Sequence, residues 1–113
     1  MAKVEIVESL SSEINKEFKK ESIEVLEYLR TLETSPSKGK ELGVVGGLVI
    51  KELRYKGFRF YFITDGLTLR CMDEKKLIEL LLLFVRMSDK KAQQETIEQI
   101  KHILKTIGPQ GFQ

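Results

Sequence analysis

The sequence predicts an α+β fold: an N-terminal strand and helices, then an antiparallel meander, then a C-terminal helix. Three observations carry this expectation. Apolar residues fall at mostly helical spacing from Ile14 to Leu32, and again from Ile97 to Ile107. Between these stretches, after Gly43, runs of β-branched and aromatic residues are broken by Lys56-Gly57 and Asp65-Gly66. The 113 residues are 42% hydrophobic and 32% charged, which suits one domain over 1–113 and excludes wholesale disorder.

Val4 and Ile6 alternate with charged residues, so a short strand is expected at about 2–8. Ser11 and Ser12 are placed to cap a helix, with Glu13 and Glu17 near its positive end. Ile14, Phe18, Val25, Leu26, Leu29 and Leu32 continue it, as one long helix or as two broken near Lys20–Ser22. Thr34-Ser35-Pro36-Ser37-Lys38-Gly39-Lys40 reads as an exposed connection, and the glycine-rich 43–47 as a flexible entry loop. Strands follow at 48–55 and 58–63, joined by a tight turn at Lys56-Gly57, and a further strand at 68–72. The apolar run 80–87 suits either element. Leu82–Met87 is expected as a buried central strand, with a helix through 74–87 as the alternative. Ser88 is expected to cap a last helix over about 89–107, stopped by Gly108-Pro109, with a frayed tail beyond.

Nineteen basic against seventeen acidic residues give a net charge of only +2, which excludes a global polycation. The balance is uneven: residues 1–40 sum to −1 and 41–113 to +3, so an anionic partner is expected to meet the second half. A single cysteine, Cys71, excludes an internal disulfide framework, and a single histidine, His102, excludes a histidine metal cluster. No metal and no cofactor are expected. The start is too charged for a signal peptide, and the longest apolar run is far short of the roughly 20 residues that span a bilayer. A reduced, cytoplasmic location without membrane contact is therefore expected. Lys and Glu are abundant and Trp is absent, as in heat-adapted proteins.

The catalytic inventory is short. His102 has no matched nucleophile, the pairs Glu13/Glu17 and Glu21/Glu24 read as solvated helix faces, and Cys71 reads as a packed side chain. The 43–47 glycines do not match a phosphate-binding spacing. One constellation stands out. Lys51, Arg54, Lys56 and Arg59 lie on adjoining strands with Tyr55, Phe58 and Tyr61 interleaved, and Arg86, Lys90 and Lys91 straddle the start of the last helix. Brought together, the two sets would form a basic, aromatic-edged cleft for phosphate and stacked bases. Charged residues on exposed strands also commonly carry no ligand, and a Glu52–Arg54 or Glu52–Arg59 ion pair would account for them equally.

Gly47 to Phe62, G-L-V-I-K-E-L-R-Y-K-G-F-R-F-Y-F, resembles the central meander of the RelE/ParE toxin superfamily, closest to its HigB and phage-derived Gp49-like branch. Glu52-Leu53-Arg54 and Phe58-Arg59 fit that pattern in type and spacing. Phe84-Val85-Arg86-Met87-Ser88-Asp89-Lys90-Lys91 resembles the family's closing strand with its basic residues. The resemblance implies a RelE-like α+β fold, a twisted antiparallel sheet with helices on one face, and a toxin of a toxin–antitoxin module. It implies a metal-independent, ribosome-dependent mRNA endonuclease, in which the RNA 2′-hydroxyl attacks its own phosphate. Arg59, Arg86 and Lys90 are then the catalytic positions; Arg54, Lys56 and Lys91 hold backbone phosphates, and Tyr61 or Phe58 stacks a base. The general base is left among Lys90, Lys91 and Glu52. The implied partners are a cognate antitoxin and mRNA on the ribosome.

The sequence also departs from the family. Leu67 to Leu83 is an insertion of about ten residues, Glu52 and Ile50 stand where the cleaving branch has lysines, and no tyrosine follows Tyr61. The alternative is a non-enzymatic relative that binds a gyrase-type target, an antitoxin, or itself as a homodimer through Leu80–Phe84 and the last helix.

Overall fold

Phe60-Tyr61-Phe62-Ile63 is a run of four buried side chains on one strand. A strand that is apolar on both faces must be covered on both faces, and that requirement shapes the molecule. The computed structural model describes residues 3–107. Along the chain come β1 (Lys3–Ile6), α1 (Glu8–Phe18), α2 (Ser22–Arg30), β2 (Lys40–Val45), β3 (Leu48–Tyr55), β4 (Phe58–Thr64), β5 (Thr68–Met72), α3 (Glu74–Met87) and α4 (Lys90–Ile107). Single 3-10 turns, Lys19–Glu21 and Thr31–Glu33, follow α1 and α2. The five strands form one mixed sheet in the order β1-β5-β4-β3-β2.

Phe60 and Phe62 pack with Leu53, Cys71 and Leu69 against Leu10 and Ile14 of α1 and Val25 and Leu29 of α2. On the opposite face, Tyr61, Ile63, Ile50 and Met72 pack against Leu77 and Leu81 of α3 and Ile100, Ile103 and Ile107 of α4. Three layers result, so the helices do not lie on one face as the resemblance implies. The sheet is not purely antiparallel either: β1 runs parallel to β5, with Val4 beside Leu69 and Ile6 beside Cys71.

Several local expectations hold. Of the two alternatives for the first helical stretch, the broken one forms, with the break at Lys19–Glu21, and Lys56 and Gly57 take φ of 47° and 83°, as a two-residue hairpin turn requires. Others are corrected. Helix α1 starts at Glu8, so Ser11 and Ser12 lie inside it rather than capping it. The 43–47 segment is not a loop throughout: β2 reaches Val45, with an irregularity between Glu41 and Gly43 that turns Leu42 into the core. Gly43 is needed there, because a Cβ would lie 2.8 Å from Cγ1 of Ile103.

The expected strand Leu82–Met87 is helix. Leu77, Leu81 and Phe84 at steps of four and three face the sheet, while Leu82 and Leu83 are exposed. A strand would have buried alternate residues instead. Ser88 closes α3, donating its hydroxyl to the Phe84 carbonyl at 2.7 Å. It is Asp89 that caps α4, its Oδ1 accepting from the Ala92 N–H at 2.8 Å. The expected stop at Gly108-Pro109 and the tail 110–113 lie outside the described residues. Among the described residues, no helix is long and apolar enough to cross a membrane.

Candidate functional site

The β3–β4 hairpin sets Arg54 directly across from Arg59, on the sheet face that also carries Glu52 and Tyr61. Two guanidinium groups side by side repel unless something neutralises them. Glu52 does this for Arg54. Its side chain is 5% exposed, and its Oε1 accepts from Arg54 Nε at 2.7 Å. That hydrogen bond and the carboxylate charge raise the Arg54 pKa above its ordinary value. Arg59 instead donates from Nη1 to the carbonyl of Ile107 in the last turn of α4, at 3.3 Å. A helix C-terminus leaves carbonyls without intrahelical partners, and a cation is favoured there by the helix dipole.

The other hairpin residues point elsewhere. Lys56 donates to both carboxylate oxygens of Glu21, at 3.0 and 3.1 Å. Phe58 lies on the α1–α2 face, edge-on to Phe18 at 5.5 Å and tilted against Phe60 at 4.9 Å. Such aromatic contacts contribute about 0.5–1.5 kcal/mol each beyond area burial. Tyr61 is fully buried, so it presents no ring for a base to stack on. Its hydroxyl donates to Glu74 Oε1 at 3.3 Å, and burial, with the nearby Glu74 charge, pushes its pKa up to about 12.

Beside Arg59 opens a cavity of about 250 Å³ lined by Glu13, Gly57, Phe58, Arg59, Tyr61, Asp73 and Glu74. Three carboxylates face one guanidinium, a balance that repels a polyanion rather than attracting it. Burial, with Asp73 and Glu17 nearby, raises the Glu13 carboxyl pKa above its ordinary 4.5. A carboxyl whose folded value is raised loses stability for the protein as pH climbs from the unfolded value through the folded one. Glu13→Gln is therefore expected to raise the urea midpoint at neutral pH and to leave it unchanged below about pH 4. A variant less stable than the parent at neutral pH would remove this reading.

Arg86, Lys90 and Lys91 are exposed, with no ion pair among the described residues. They stand at the far end of the sheet. The end of α3 shares a cavity with Val45 and Leu48, where β3 begins, whereas Arg54 lies where β3 ends. Six residue steps of extended chain place the two sets about 20 Å apart. The cleft expected from their union is not formed.

Reading the sequence missed Glu13, Asp73 and Glu74 as neighbours of Arg59. No spacing signals them, because they come from α1 and from the entry to α3, elements brought together only by the sheet. Cys71 is buried as expected, and burial pushes its thiol up to about 12. No group of three His, Cys, Asp or Glu side chains among the described residues is arranged to hold a metal ion. Compared with protein-family models, curated proteins and solved structures, the chain matches none.

Proposed function

We propose that this chain is a RelE/ParE-type toxin of a toxin–antitoxin module that acts by occupying a protein target rather than by cutting RNA. The resemblance of Gly47–Phe62 supports the class. The engagement of its basic residues carries the mode of action: Arg54 is held by Glu52, Lys56 by Glu21 and Arg59 by the Ile107 carbonyl. Arg86, Lys90 and Lys91 lie too far off to reach the same phosphate. Binding needs only a shaped surface, and the hairpin end offers one, with Arg54 and Lys56 side chains 62% and 63% exposed.

Cleavage is the second reading, favoured by one observation: Arg59 and Phe58 share the cavity with Glu13, whose raised pKa suits a general base. Glu13 would then take the 2′-hydroxyl proton as that oxygen attacks the adjacent phosphorus. The bond to the 5′-oxygen of the next nucleotide would break to leave a 2′,3′-cyclic phosphate and a 5′-hydroxyl protonated from solvent, and Arg59 would neutralise the phosphate. Arg86, Lys90 and Lys91 have no role in this version.

Inducing the gene in a bacterial host, and adding the purified protein to a translating extract, separates the readings. Occupation predicts growth arrest without new mRNA 5′ ends, relieved by a co-expressed antitoxin that co-purifies in fixed ratio. New 5′ ends at defined codon positions, lost in Arg59→Ala, would establish cleavage. A folded protein that neither arrests growth nor cuts would sink both.

A further inference from the structure

The outward stripe of α3 is apolar at its centre and charged at its flanks. Leu82 is 54% exposed, Leu83 39% and Met87 75%. Glu79 lies three residues before Leu82 and Arg86 three after Leu83, and both are exposed. Residues at such steps share one helix face. Among the described residues Arg86 has no ion-pair partner, and the only one for Glu79 is Lys76 at 4.0 Å.

This stripe reads the same when reversed with its charges inverted. A two-fold axis between Leu82 and Leu83 sets Leu82 of one copy on Leu83 of the other. It sets Glu79 opposite Arg86, and Ile78 opposite Met87, twice over. An isologous contact requires this self-complementarity, in which each patch meets itself reversed. We propose that a second copy of this chain docks on α3, antiparallel, forming a two-fold dimer with a leucine centre and two Glu79–Arg86 ion pairs. Lys75 falls outside the mirrored span, because α3 ends at Met87, and it is exposed, so salt screens it. A single helix pair is a small interface, so the dimer is reversible and concentration-dependent. The proposal is independent of what the hairpin end binds.

Sedimentation velocity from low micromolar to near-millimolar protein tests it. The parent is expected to pass from monomer to dimer over that range, and Leu82→Glu to stay monomeric throughout. Leu82 is exposed, so the variant should keep the parent's circular dichroism. Glu79→Arg or Arg86→Glu alone places like charges across both symmetric contacts and should weaken dimerisation about tenfold or more. Combining the two restores opposite charges and should restore the dimer. A parent that is monomeric at every concentration would overturn the proposal. So would a dimer indifferent to Leu82→Glu, or a double variant no tighter than the singles.

Discussion

Phe62→Ala is expected to lower the free energy of unfolding by about 3–5 kcal/mol, the range for emptying a buried aromatic site. Phe62 is fully buried on the central strand β4, packed beneath α1 and α2, with the Lys51 ammonium 5.8 Å from its ring centre. The backbone also closes on it. A Cβ at Gly39, whose φ is +96°, would lie 3.1 Å from the ring and 2.9 Å from the Glu52 carbonyl. Few neighbours can move in to fill the space. A domain of this size is stable by roughly 6–17 kcal/mol, so one such loss removes a large share. Urea unfolding followed by circular dichroism measures it. Phe58→Ala on the same face, where Phe58 is only half-buried, should cost clearly less; equal losses would contradict the placement of the core.

Arg54→Ala is expected to destabilise the protein more than loss of an ordinary surface arginine. The effect comes from Glu52, whose carboxylate, 5% exposed, is left without its cation. Leaving such a buried acceptor without its hydrogen-bond donor costs about 1–3 kcal/mol. A charge stranded with no access to water would cost about 3–5 kcal/mol. Here solvent reaches the place that the Arg54 side chain vacates, and Lys40 stands across from Glu52, so the smaller range applies. The double variant Glu52→Gln/Arg54→Met removes both charges and should recover most of the stability. If Arg54→Ala is neutral while nucleic-acid binding falls, Arg54 serves a ligand, and the structural role assigned to it fails.

The strands after Leu48 were legible because their chemistry is local. Lys56-Gly57 supplies the two positive φ angles of its turn, and β-branched and aromatic residues fill both flanks. Helix α3 was legible only as the alternative to a strand, although with the bounds 74–87 that it takes. Four leucines in a row satisfy a strand buried on both faces and a helix buried on one, and only the partner elements decide. Strand β2 was hidden by Gly43, whose missing side chain makes room for Ile103 of α4, a partner near the other end of the chain. The candidate site was half legible. Arg54 and Arg59 are paired by a hairpin, which sequence specifies. Their separation from Arg86, and the carboxylates beside Arg59, depend on how α1, α3 and α4 cross the sheet.

Among the described residues strand β1 pairs only with β5, and Lys3 meets Thr68 across more than half the length of the chain. During synthesis the first strand therefore has no seat until the fifth has left the ribosome. Closing so long a loop costs entropy before any contact repays it, and pairing of this kind slows folding. The hairpin end is bordered by both early and late elements: Glu21 holds Lys56 and the end of α4 holds Arg59. The hairpin-end surface thus matures late, after nearly the whole described chain has been made, and an interrupted product would lack it.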